Sequence, residues 1–192
     1  MSYTAFDVAT ENAAWKPDAE PKTITVTVKV TNTGSCAGKE VVQIYAACPF
    51  GKLKKERKRL VAFGKTALLQ PGESETLHLK VPIVLLESYR TGKAVYCMEA
   101  GDYDFLVGTS SRDVTLAARL TLDKTVETEH LTNICPLLDA LKEIQPEEEK
   151  EERWRAEREQ MWEEKKAEIP LLFLDEKGLI RDEESAEEMY KI

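Results

Sequence analysis

The chain has 192 residues, a formal net charge of −8, 42% hydrophobic residues and 32% charged residues. The charge is lopsided: residues 1–122 hold 16 basic and 13 acidic side chains, and residues 123–192 hold 11 and 22, which predicts a folded module followed by an acidic tail. An acidic chain without a basic stripe excludes a nucleic-acid partner. No apolar run is long enough to span a bilayer, so no membrane partner is expected, and with no signal-peptide pattern visible at the N-terminus the expected location is cytoplasmic.

In chain order, "SYTAFDV" reads as a first strand. Ile24, Val26, Val28 and Val30 alternate with Thr25, Thr27, Lys29 and Thr31, the period of two of a half-buried strand. "NTGSCAG" supplies turn residues. "EVVQIYAA" is the next strand, with Val42 and Ile44 on one face and Val41, Gln43 and Tyr45 on the other. A basic loop, "GKLKKERKRL", leads to the strand "LVAFGKTALL" and the turn "QPGES". "ETLHLKV" places Leu77, Leu79 and Val81 on one face, "GDYDFLVG" is bracketed by glycines, and "DVTLAARLTL" places Val114, Leu116, Ala118, Leu120 and Leu122 on one face. About seven short strands with turns between them predict a mainly β fold, an antiparallel sandwich of immunoglobulin or fibronectin type III style over residues 1–122.

Residues 123–192 read as an acidic, largely helical extension or a linker towards a further domain. "HLTNICPLLDALKEI" is a short helix candidate. "PEEEKEERWRAEREQMWEEKKAEIP" is a strong one: Pro146 suits the first helical position, glutamates crowd the N-terminal turn, Lys165 and Lys166 lie near the end, and Pro170 stops it. Trp154, Met161, Trp162 and Ile169 form one narrow face, read as a docking face. "LLFLDEKGLI" and the acidic end are expected to be partly ordered at best.

Residues able to do chemistry are sparse. Asp102 and Asp104 share a strand face, but an acid/base pair must flank a scissile bond from rigid elements, and solvated carboxylates are the expectation. His78 and His130 lack partners at ligand spacing. No GxSxG, GxxxxGK[ST] or GxGxxG string occurs. Cys36, Cys48, Cys97 and Cys135 show no CxxC spacing, so unpaired thiols are expected over a metal site. The basic loop from Lys52 to Arg59 reads first as a solvated hairpin loop and second as an anion or protein contact. Trp15, Tyr45 and Tyr89 read first as packing and second as a sugar-stacking platform.

"VTNTGSCAGKEVVQIY" closely resembles the signature of the fibronectin type III-like domain of family 3 glycoside hydrolases, the β-glucosidase type. "LVAFGKTALLQPGESETLHLKV" and "MEAGDYDFLVGTSSRDVTL" resemble its later strands in order, and "SYTAF" resembles the junction through which these enzymes enter the domain. The likeness runs from Ser2 to Leu122. It implies a non-catalytic accessory module, because in that family the nucleophilic aspartate lies on a barrel and the acid/base carboxylate usually comes from an α/β sandwich. Those two domains are then the expected partners, no catalytic residue is carried over, and no cofactor or metal is expected. The opening at the domain junction suggests an excised piece, and the long tail is more like members in which the barrel follows the module. A module beside a catalytic domain fixes orientation and can lend a loop to a cleft rim, for which Lys54, Lys55, Arg57 and Tyr89 are the candidates. The alternative is an independent carbohydrate- or protein-binding sandwich.

Overall fold

The structure, a computed structural model, describes residues 3–16, 22–134 and 147–173. Its elements are β1 (Phe6–Lys16), β2 (Thr23–Asn32), β3 (Val41–Ala47), β4 (Arg59–Lys65), β5 (Ser74–Pro82), β6 (Ser88–Arg90), β7 (Val95–Met98), β8 (Gly101–Gly108), β9 (Val114–Leu122), β10 (Val126–His130), α1 (Glu148–Lys165) and β11 (Leu171–Phe173). One sheet has the order β1-β2-β5 and a second the order β11-β9-β8-β3-β4. A third, small sheet is β10-β7-β6. Every pairing is antiparallel except β11 with β9. The fold is the mainly β antiparallel sandwich that the periodicity predicts, with one C-terminal helix.

One apolar core joins the two larger sheets. Ile24, Val26, Val28 and Val30 of β2 meet Val42, Ile44 and Ala46 of β3 and Tyr103, Phe105 and Val107 of β8. All ten alternate along their strands, so each strand turns one face inward. Asn32 closes the end of β2. It is fully buried, its amide donates to the carbonyls of Cys36 at 2.8 Å and Leu69 at 2.9 Å, and its oxygen accepts from Thr4 Oγ1 at 2.8 Å and from the Gly34 N–H at 3.1 Å. This explains the "NTG" string physically. A Cβ at Gly34 would collide with Thr4 Oγ1 and stand 2.6 Å from the Ala5 nitrogen.

β9 departs from its expected pattern. Phe105 pairs with Ala118 but Leu106 pairs with Leu116, so Ala117 is an extra residue, a β-bulge. The bulge turns Leu116 and Val114 to the outer face, where they cluster with Ala47 and Leu106. Ala118, Leu120 and Leu122 stay in the core. The expected single face of five residues is therefore split between the two sides of the sheet.

Strand structure continues beyond Leu122 into β10. The helix expected over 130–144 falls largely outside the described residues, and His130 closes β10. α1 forms inside the segment that the capping pattern marks. Leu171–Phe173, expected to be partly ordered at best, add a parallel strand to the β9 edge, with Leu172 opposite Leu120 and the Pro170 carbonyl accepting from the Arg119 N–H at 3.3 Å.

Candidate functional site

The outer face of β8 and β9, under α1, holds a buried cluster of charged side chains. With Tyr103, Phe105 and Val107 turned inward, Asp102, Asp104 and Leu106 face outward. Arg119 pairs across from Asp104 and grips it with two bonds, Nε to Oδ1 at 2.6 Å and Nη2 to Oδ2 at 3.1 Å. Arg158 of α1 adds Nε to Oδ2 at 2.9 Å. Its Nη1 donates to the Cys48 carbonyl at 2.8 Å and its Nη2 to the Asp102 carbonyl at 2.9 Å. Asp102 accepts from Thr121 Oγ1 at 2.7 Å and from Arg119 Nη1 at 3.3 Å. The Trp162 ring lies 4.1 Å from the Arg119 guanidinium.

Asp104 is 1% exposed, Arg119 6% and Arg158 9%. Two carboxylates face two guanidiniums, so the buried charge balances and the polar atoms are bonded, the condition under which a buried ion cluster is tolerable. This corrects the expectation of two solvated aspartates: Asp104 is buried and doubly held, and Asp102 is half-exposed and bonded. Each carboxylate accepts hydrogen bonds from an arginine, and Asp102 also from Thr121.

The basic loop 52–59 turns Lys55 inward and leaves Lys52, Lys54 and Arg57 exposed. Lys55 forms an ion pair with Glu99, and the two side chains are each 5% exposed. Glu99 also accepts from the Lys52 N–H at 2.9 Å and the Leu53 N–H at 3.2 Å, while Lys55 Nζ donates to the Pro49 carbonyl at 3.1 Å. Burial pushes the Glu99 carboxyl up, but the Lys55 ammonium and these N–H donors outweigh it and hold the group below its ordinary range. Lys54 pairs with Glu151 of α1 at 3.0 Å. Arg57 pairs with Glu157 and lies 5.7 Å from the Trp154 ring. Met161, Trp162 and Ile169 pack on the Ala47, Leu106 and Leu116 cluster. Tyr89 stands apart on β6, exposed, against Tyr96 at 5.2 Å.

The loop residues singled out from the sequence thus meet α1 or the interior, while Tyr89 stays on the surface. Glu99, Arg119 and Arg158 escaped the sequence reading. The signal was a charge set inside an apolar pattern: Arg158 lies four residues from both Trp154 and Trp162, and Arg119 interrupts "LAARL". Elsewhere, His78 Nδ1 lies 3.1 Å from Thr27 Oγ1 and His130 is exposed near Glu127. Cys36, Cys48 and Cys97 are free thiols, and burial pushes Cys48 and Cys97 up, away from thiolate chemistry. Among the described residues no group of three or more His, Cys, Asp or Glu could hold a metal ion, and no helix is long and apolar enough to cross a membrane.

A family model for the fibronectin type III-like domain matches residues 40–111. Beta-glucosidase A of Butyrivibrio fibrisolvens is 41% identical over 115 residues, 57% of this chain and 14% of that protein. A beta-glucosidase of Ruminococcus albus is 39% identical over 136 residues, 68% of this chain and again 14% of that protein. Among solved structures, a beta-glucosidase from Paenibacillus barengoltzii superimposes with a TM-score of 0.64 at 38% identity, covering 69% of this chain and 16% of its own. Beta-glucosidase 3B from Thermotoga neapolitana gives 0.56 at 38% identity, covering 65% and 17%. The chain thus spans about 14% of the length of the curated relatives it matches. The sandwich, its motifs and these likenesses agree: the chain carries a fibronectin type III-like domain of the kind found in family 3 glycoside hydrolases of the β-glucosidase type.

Proposed function

We propose that this chain is a non-catalytic accessory module of a family 3 glycoside hydrolase, supporting its barrel and α/β-sandwich catalytic domains in β-glucosidase-type cleavage. The observation that carries this reading is the pairing of about 40% identity with about 14% coverage of the matched β-glucosidases. A segment of that size is a single domain's share of a longer protein, which supports an accessory role. The state of its carboxylates supports the same reading, since Asp102 and Asp104 serve an ion cluster. Residues 1–122 supply the sandwich in this reading, and the acidic extension of 123–192 leads towards a catalytic domain. A reducing, cytoplasmic compartment accords with the free thiols of Cys36, Cys48 and Cys97.

The test is hydrolysis of an aryl glucoside by the purified chain. The expected result is no turnover above the buffer blank. Turnover that disappears in Asp102→Asn would overturn the non-catalytic reading.

A second reading, an independent carbohydrate-binding module, is favoured by one feature, the exposed Tyr89 ring braced by Tyr96 at 5.2 Å. It predicts saturable binding of an oligosaccharide that is lost in Tyr89→Ala. Flat titrations across β-linked glucans leave the accessory reading alone.

A further inference from the structure

α1 leaves part of the outer sheet face open. Between the helix, the β8–β9 connection and the basic loop lies a cleft of about 420 Å³, within the roughly 300–1,000 Å³ of small-molecule sites. Its floor is apolar, with Leu106, Val114 and Met161. Lys58 from the basic loop and Arg112 from the β8–β9 connection line it, together with Glu157 of α1.

The charges in this cleft are unequally satisfied. Arg158 is committed to Asp104, Glu157 to Arg57, and Glu164 accepts from the Gln160 amide at 2.9 Å. Lys58 lies over the Tyr45 ring at 5.4 Å. Neither Lys58 nor Arg112 makes an ion pair among the described residues. Burial, and then the neighbouring Arg57 guanidinium, lower the pKa of Lys58 against a smaller opposing pull from Glu157, which Arg57 already engages, so its ammonium is a partly desolvated cation without an ion-pair partner of its own among the described residues. An anion placed there would relieve both costs, and the apolar floor would desolvate a ring attached to it.

We propose that this cleft binds a small organic anion, an oxyanion head group on a ring-sized apolar body. Arg112 and Lys58 hold the head group, and Leu106, Val114 and Met161 receive the ring. The site stands independently of the accessory role proposed above, since it is built wholly from this chain.

The experiment is isothermal titration of the full 192-residue chain at constant ionic strength with phenyl phosphate, benzoate, inorganic phosphate and benzyl alcohol. Phenyl phosphate or benzoate should bind with a dissociation constant of about 0.1–1 mM, roughly tenfold or more tighter than inorganic phosphate or the neutral alcohol. The tighter of the two identifies the head group. Arg112→Ala and Lys58→Met should each weaken binding about tenfold with an unchanged circular dichroism spectrum. Absence of saturable heat from both ring compounds overturns the site, as does binding that survives in the double variant. Equal affinity for inorganic phosphate removes the role of the apolar floor and overturns the proposal as stated.

Discussion

Arg158 of α1 places Nε 2.9 Å from Oδ2 of Asp104, a carboxylate that Arg119 already holds through its other oxygen at 2.6 Å. It is the one residue that α1 buries. The helix is therefore seated chiefly through a charge, with Met161, Trp162 and Ile169 as a partly buried apolar flank. Lys54–Glu151 and Arg57–Glu157 fasten its outer rim to the basic loop. Rim pairs of that kind contribute little each in water, which leaves Arg158 as the anchor.

Replacing Arg158 with Met keeps the apolar stem and removes three sets of bonds: to Asp104, to the Cys48 carbonyl and to the Asp102 carbonyl. Arg119 still neutralises Asp104, so the cost lies near the lower end for a broken buried pair, about 2–3 kcal/mol. Denaturant unfolding followed by tryptophan emission reads it, and Trp154 and Trp162 report on the helix directly. An unchanged midpoint would show that the apolar flank seats α1 alone. In Asp104→Asn the same Arg158→Met change should cost less, and the difference is the coupling energy of the pair.

Glu99 supplies a pH signature. Its folded pKa is depressed below the ordinary 4.5, so its contribution is present in full above the unfolded pKa and is lost as pH falls through the lower folded value. Wild-type chain should therefore lose stability below about pH 4.5 more steeply than Glu99→Gln, and the two should differ most at neutral pH. Thermal melts between pH 3 and 7 measure this. Parallel curves for the two proteins would mean that the Lys55–Glu99 pair adds nothing to folding.

Asn32 should be among the costliest single truncations in the sandwich. In Asn32→Ala the carbonyls of Cys36 and Leu69 lose a donor, and Thr4 and the Gly34 N–H lose an acceptor. Buried groups left without partners cost about 1–3 kcal/mol, so a loss of about 3 kcal/mol is expected, against about 0.5 kcal/mol or less for an exposed control such as Lys29→Ala. Chemical denaturation of the two variants side by side decides it, and similar midpoints would remove Asn32 from the framework.

The strands were legible because burial on one face imposes a period of two, which β3 and the second half of β2 obey, whereas β8 is buried on both faces from Tyr103 onward because α1 and the ion cluster cover its outer side. β9 was half legible. A bulge adds one residue without changing composition, so nothing in "DVTLAARLTL" announces that Leu116 and Ala118 part company at Ala117. The helix could be read from its stripe and flanking prolines, but not its anchor. A lone arginine among charged neighbours looks like surface, and it becomes a buried ion only opposite Asp104 and Arg119, 54 and 39 positions away in the chain. β11 is three residues long, below the length at which alternation carries information. Tyr89, read first as a packing residue, is exposed on β6, whereas Lys55 reads as a loop cation and belongs to the interior because Glu99 waits there.

The extension as a whole covers one face and one edge of the sandwich. A chain ending at residue 134 keeps both larger sheets except β11, but uncovers Leu106 and Leu116 and leaves Asp104 with one of its two arginines. It also frees the β9 edge that β11 covers, and an open edge beside exposed leucines favours association. The shortened chain should melt at least about 5 °C lower than the full chain and elute as higher oligomers at micromolar concentration. A chain carrying the extension with Arg158→Met should fall between the two, since β11 and the apolar flank remain. If the shortened chain stays monomeric with the melting temperature of the full chain, α1 and β11 are an appendage, and the sandwich is complete without them.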